Sequence, residues 1–139
     1  MKTIILMLCM AFTMSMTNAQ TSSNSKVTVN YSSDDTSDNG YKINISISNT
    51  DDIYTLKASF PSHKTDEVKS FLKEHLNAKM STSYGSYIWN YNTRGEEGYK
   101  VKLRKGKLSI FLDKEAVSID LVEDLIDAFS DLRDLIKDK

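Results

Sequence analysis

Two histidines are the first residues to test for chemistry, because histidine suits acid–base and metal-binding roles near neutral pH. His63 precedes Asp66 and Glu67, and these three side chains could serve a small exported hydrolase. His75 lies twelve residues further along, at the edge of the apolar stripe of a predicted helix. That helix would hold the two rings about one helix length apart, which is unsuited to a shared zinc site. We therefore expect His75 to be a partly buried structural residue. A hydrolase that uses His63 with Asp66 or Glu67 is one of three hypotheses about the function.

The other patterns associated with catalysis are missing from the sequence. It contains no phosphate-binding glycine loop, no G-x-S-x-G elbow and no H-E-x-x-H motif. Glu96 and Glu97 are adjacent, so on a strand they would point to opposite sides and could not act as a pair. Cys9 is the only cysteine and lies in a segment that we expect to be removed, which leaves no thiol. We predict no catalytic residue, no metal site and no cofactor.

Three aromatic residues alternate along residues 86–91, namely Tyr87, Trp89 and Tyr91. On a strand they share one side, and Ile88 is the only large apolar residue on the other side. Each aromatic side chain can bury ~150–250 Å², so exposing all three would leave a large apolar patch. Because burial of this area is favourable, we expect the three aromatic residues to lie in the core. The alternative is a stacking platform for sugar rings, which would make the protein a carbohydrate- or envelope-polymer-binding module.

A basic strand follows the aromatic residues. Lys100, Lys102 and Arg104 alternate with apolar neighbours, and residues 94–107 hold six basic groups against two acidic ones. Residues 113–139 reverse this balance, with nine acidic groups against four basic ones. We predict that the three cations, joined by Lys42 and Lys57, form a basic stripe on the polar face of a sheet. Such a stripe is either an ordinary solvated surface or a site that attracts an acidic partner.

Alternating and helical periodicities indicate the elements that would position these residues. Strands are predicted over residues 26–31, 41–48, 53–60, 87–91, 99–104 and 107–112. Amphipathic helices are predicted from Thr65, as N-cap, to about Leu76 or Lys79, and over residues 118–137. Because every element has one apolar side, the sequence predicts an α+β fold with two layers. About six antiparallel strands would form the sheet, with both helices on one face.

The predicted order βββαβββα divides the chain into two similar halves. "YKINIS" at residue 41 and "YKVKLR" at residue 99 begin alike, and each half ends in one helix. Either the chain contains an internal repeat of about 58 residues, or alternating strands resemble one another by coincidence.

The N-terminus is typical of a secretory signal peptide. Lys2 is followed by an apolar run, and the small residues before Gln20 suggest cleavage after Ala19. This junction, "NAQ", resembles those of small exported proteins of Gram-negative bacteria. We assign residues 1–19 to the signal, residues 20–25 to a flexible tail and residues 26–139 to a single domain. We expect a periplasmic or secreted protein without membrane insertion after cleavage.

The numbers of basic and acidic residues bear on which class of partner the protein could bind. Beyond residue 19 the chain has 17 basic and 19 acidic residues, whereas nucleic-acid-binding domains usually carry a basic excess. Nucleic acid is therefore not an expected partner. The first hypothesis is a non-enzymatic binding protein that engages a protein partner, as an immunity-type or inhibitor-type protein or as a subunit of an envelope assembly. Its binding residues would come from Tyr87, Trp89, Tyr91, Lys100, Lys102 and Arg104.

Overall fold

The structure of the protein is a computed structural model that describes residues 27–34 and 42–138. The predicted signal peptide, residues 1–19, and the predicted tail, residues 20–25, lie outside the described residues. So does Tyr41, which the sequence places at the start of a strand.

The described residues form two helices and one antiparallel sheet of seven strands. The predicted α+β fold class is thus confirmed. The additional strand, β4, is a short segment between the first helix and the aromatic strand. The elements, in chain order, are β1 (Val27–Asp34), β2 (Lys42–Asn49), β3 (Ile53–Ser59), a 3₁₀ turn (Ser62–Lys64), α1 (Thr65–His75), β4 (Met80–Ser83), β5 (Ser86–Thr93), β6 (Glu96–Arg104), β7 (Lys107–Asp113) and α2 (Ile119–Lys137).

The strand order in the sheet is β1-β2-β3-β7-β6-β5-β4, and every neighbouring pair is antiparallel. The two halves of the chain meet at the centre of the sheet, where Leu56 of β3 pairs with Ile110 of β7. If β4 is set aside, the order is symmetric about this pair. Each half is a three-stranded meander followed by a helix, which is the topology that an internal repeat would give.

Both helices pack on the same face of the sheet, which we call the covered face. Phe129 of α2 stacks on Tyr54 of β3 with ring centroids 5.6 Å apart. At α1, the Lys69 ammonium lies 4.0 Å from the ring centroid of Tyr87 on β5. Strand residues on this face alternate with exposed ones, so the sheet has one apolar side and one polar side. Neither of the two described helices lies on the polar side, which we call the open face.

A buried lysine joins the connection after β3 to the end of α2. The Lys64 ammonium donates hydrogen bonds of 3.2 Å to each of the Leu135 and Ile136 carbonyl oxygens. A cation at the C-terminus of a helix interacts favourably with the helix dipole and satisfies carbonyls that lack partners within the helix. At the other end of α2, the Ser118 hydroxyl accepts a hydrogen bond from the Leu121 amide. These contacts fix α2 over the covered face.

Candidate binding surface on the open face of the sheet

The aromatic strand β5 directs its central residue into the core. Trp89 is 1% exposed and pairs with Val101 of β6. Tyr87 and Tyr91 are half-buried against the same core, and the Tyr91 ring stacks on Tyr99 with centroids 5.2 Å apart. The prediction that these aromatics face the helices is confirmed. The hypothesis of a sugar-stacking platform required an accessible Trp89, and this placement gives it no support.

On the covered face, Tyr99 links the basic strand β6 to residues 77 and 78. Its hydroxyl donates to the Asn77 side-chain oxygen and accepts a 3.0 Å hydrogen bond from the Ala78 amide. Burial raises the pKa of Tyr99 above its usual value, so the hydroxyl remains a donor throughout the physiological pH range. Strand β6 is therefore tied to the connection that follows α1.

The register of β6 places the three predicted cations on the open face. Lys100, Lys102 and Arg104 are exposed. The residues that alternate with them, Tyr99, Val101 and Leu103, are each 0% exposed. This alternation confirms the predicted register, because a shift by one residue would have buried the charges.

Two further cations extend the basic surface across the sheet. Lys57 of β3 and Lys107 of β7 are exposed on the open face, and β7 lies between β3 and β6. Lys107 pairs directly with Arg104, and Lys57 pairs with Ser109. Lys107 was one of the six basic residues noted within residues 94–107, but it was not predicted to lie on this face. The alternation of "KLSIFL" was the signal that could have placed it.

The turn that joins β6 to β7 is held by the connection between β3 and α1. The Gly106 amide donates a 2.9 Å hydrogen bond to the Thr65 hydroxyl, and the Phe60 amide donates one of 3.0 Å to the Gly106 carbonyl. The predicted N-cap role of Thr65 was wrong: Thr65 is the first residue of α1, and its buried hydroxyl serves the β6–β7 turn instead. Arg104 and Lys107 therefore flank a rigid turn.

Acidic residues cover the opposite side of the molecule. Six carboxylates on α2 are exposed, and we call them the acidic helix face: Asp120, Glu123, Asp124, Asp127, Asp131 and Asp134. The sheet thus separates a basic open face from an acidic helix layer. Surfaces that carry opposite charges can orient a charged partner as it approaches.

The two histidines lie on different parts of the β3–α1 region, His63 in the 3₁₀ turn and His75 at the end of α1. Asp66 and Glu67 are exposed in the first turn of α1. The prediction that His75 is partly buried was wrong: the residue is exposed, and its ring stacks on that of Phe71 with centroids 3.9 Å apart. Within residues 27–34 and 42–138, no group of three or more His, Cys, Asp or Glu side chains could hold a metal ion.

Comparisons with protein-family models, with curated proteins and with solved structures give no match to this chain. Neither of the two described helices has the length and apolar character needed to cross a membrane.

Proposed function

We propose that the protein is an exported, non-enzymatic binding protein that captures an acidic protein partner on the open face of its sheet. The observation that carries this proposal is the segregation of charge, with a continuous basic surface on β3, β7 and β6 and an acidic helix face on the opposite side. Export is proposed from the signal-peptide pattern in residues 1–19.

The charge distribution supports rapid and oriented association. Lys57, Lys100, Lys102, Arg104 and Lys107 would attract a partner that carries an acidic patch. The acidic helix face would repel the same partner, so the encounter would occur mainly on the open face. Electrostatic steering of this kind raises association rates by roughly 10- to 1,000-fold at low ionic strength.

Apolar side chains lie among the cations and could anchor such a complex. Phe111 is half-buried on the open face beside Lys100, and Ile88 is half-buried beside Lys102. Aromatic and arginine side chains are the residues that most often carry binding energy in protein interfaces. Phe111 and Arg104 are therefore the two residues that we expect to contribute most.

The scaffold is suited to an immunity-type, inhibitor-type or assembly role. Its binding residues lie on paired strands and not on loops, so they are already positioned before a partner arrives. A backbone that is already positioned loses little conformational entropy on binding, and the remaining cost is roughly 0.5–1.5 kcal/mol for each lysine or arginine side chain that becomes ordered. A partner of this class would neutralise the cations with its own carboxylates.

Affinity capture from periplasmic and secreted fractions tests the proposal directly. We expect one protein to be recovered at a stoichiometric amount in low salt, to be acidic on its contact surface, and to be retained less well as salt increases. Recovery of no stoichiometric protein partner at either low or physiological salt would overturn the proposal.

A further inference from the structure

The centre of the open face contains a shallow depression with a volume of about 640 Å³. It lies over β2, β3, β7 and β6, and residues of β1 form one side. This volume falls within the range of pockets that bind small ligands, roughly 300–1,000 Å³. The depression is thus large enough for a ligand much smaller than a protein.

Four cations line the depression, and the strand register shows how they are arranged. Ser109 of β7 has Lys57 beside it on β3 and Lys102 beside it on β6. Lys107 lies two residues before Ser109 on the same strand, with Arg104 as its direct partner on β6. Strands lie ~4.8 Å apart and rise ~3.4 Å per residue, so the four Cα atoms fit within roughly 7 Å by 10 Å. Four positive charges thus surround one serine.

This arrangement costs stability, and no described side chain nearby offsets that cost. Like charges directly opposite on neighbouring strands are destabilising, and Arg104 and Lys107 are such a pair. Among the described residues, no carboxylate lines the depression. The side chains of Lys57, Lys102, Arg104 and Lys107 make no hydrogen bond or ion pair within the described part of the chain. An anionic ligand would remove this repulsion.

The other polar residues of the depression can also donate hydrogen bonds to anionic oxygens. Ser46, Ser59 and Ser109 bring hydroxyl groups, and Asn44 brings an amide. All are short side chains, so a ligand could approach the sheet closely while the longer lysine and arginine side chains surround it. A donor-rich floor surrounded by cations suits oxygen-rich anions, because charge-assisted hydrogen bonds are stronger than neutral ones.

We propose that the depression binds a small multivalent oxyanion, a ligand with two or more phosphate or carboxylate groups. Lys57 and Lys102 contact one end of the ligand, and Arg104 and Lys107 contact the other. One singly charged group could not reach all four cations, so multivalence is the feature that the site selects. The depression lies within the surface proposed to capture a protein, so a bound anion would compete with an acidic partner for the same cations.

Calorimetric titration of the purified protein with tripolyphosphate, citrate and acetate tests the site. Tripolyphosphate and citrate separate phosphate from carboxylate ligands, and acetate tests the need for multivalence. We expect saturable one-to-one binding with a Kd below ~1 mM for at least one multivalent anion, and much weaker binding of acetate. Absence of saturable binding by both multivalent anions, or equal binding of acetate, would overturn the proposal.

Two variants with equal charge loss test the location of the site. We expect Lys102→Gln/Arg104→Gln to weaken binding of the multivalent anion by roughly tenfold or more. The control, Lys73→Gln/Lys79→Gln, removes two exposed cations outside the depression and should leave the Kd close to that of the unmodified protein. Equal weakening by both variants would mean that net charge, and not the depression, attracts the anion.

Substitution of the central serine provides an independent check. Ser109→Glu places a carboxylate among the four cations, so it should block the anion while relieving their repulsion. Retained binding in this variant would also overturn the proposal. Because the probes are small anions, the result does not depend on whether a protein partner is captured.

Discussion

The covered face and the open face of the sheet are formed by alternate residues of the same strands, yet they obey different constraints. On β6, Val101 and Leu103 are 0% exposed, whereas Lys102 between them is exposed. Packing against the helices restricts which residues the covered face accepts. Neither described helix packs against the open face, so that face tolerates polar and charged side chains such as Lys102. The covered face therefore determines the fold, and the open face is the face to which we assign the proposed binding.

The largest expected effect comes from removing a buried side chain of the covered face. Leu103→Ala should reduce the free energy of unfolding by about 2–5 kcal/mol, because it leaves a cavity among fully buried neighbours. Lys102→Ala, on the next residue of the same strand, should change it only as an ordinary surface substitution does. Urea denaturation of both variants measures the difference. Similar losses for the two would contradict the contrast between the faces.

The β6–β7 turn should show the next largest effect. Gly106 has φ +71°, and an added Cβ would lie 2.9 Å from the Phe60 carbonyl oxygen. Gly106→Ala should therefore cost about 1–3 kcal/mol, from a left-handed backbone combined with a backbone clash. Gly95→Ala is the matched control, since Gly95 has φ +80° but no atom within 4 Å of the added Cβ.

Urea denaturation separates the two contributions at these glycines. The control, Gly95→Ala, should lose only the stability that a left-handed backbone costs a residue with a Cβ. It should therefore unfold at a higher urea concentration than Gly106→Ala. Equal midpoints would indicate that the contact with the β3–α1 connection does not hold the turn that carries Arg104 and Lys107.

The periodicity of the sequence was sufficient to predict the fold class and the faces of the strands. Alternation placed Leu56, Trp89 and Val101 in the core, and the structure confirms each position. Strand β4 was missed because its residues, "MSTS", do not alternate between apolar and polar and are mostly exposed. It forms as the hairpin partner of β5 across Tyr84 and Gly85, both of which have positive φ angles.

Contacts between residues that are distant in the sequence explain why some predictions about single residues were wrong or incomplete. The Thr65 hydroxyl bonds to the Gly106 amide, 41 residues away, so no local pattern could reveal that this threonine is not an N-cap. The basic surface was predicted in part: β6 was placed correctly from its own alternation. The cluster around Ser109 depends on which strands are neighbours, and the sequence did not predict that β3 pairs with β7.

A smaller effect is expected at the interface between the covered face and α2 at high pH. Burial raises the pKa of Tyr54 to about 12, partly offset by the nearby Arg133 charge. Between pH 10 and 12, Tyr54 thus binds its proton in the folded state and loses it in the unfolded state. Folding stability should fall over this range.

The Tyr54→Phe variant isolates this contribution, since phenylalanine cannot ionise. Denaturation at pH 9 to 12 should show a shallower fall in stability for the variant than for the wild type. Parallel curves would indicate that Tyr54 is accessible to water and that the packing of Phe129 on its ring is loose.

Replacement of three cations of the open face should have the smallest effect on stability and the largest effect on binding. Lys100→Gln/Lys102→Gln/Arg104→Gln changes only exposed side chains of the open face, so its thermal midpoint should stay close to that of the wild type. The control, Lys73→Gln/Lys79→Gln/Arg94→Gln, removes the same charge from exposed positions outside β6. Unfolding of the open-face variant would show that these side chains are buried and that the strand register is wrong by one residue.

The association rate of these two variants with the captured partner, measured across a salt series, tests the central claim most directly. We predict that the open-face variant associates more slowly than the wild type at low salt, and that the difference shrinks as ionic strength rises past 0.1 M, where the screening length is ~10 Å. The control should behave like the wild type. Unchanged association of the open-face variant at low salt would contradict the account and leave the basic stripe as an ordinary solvated surface.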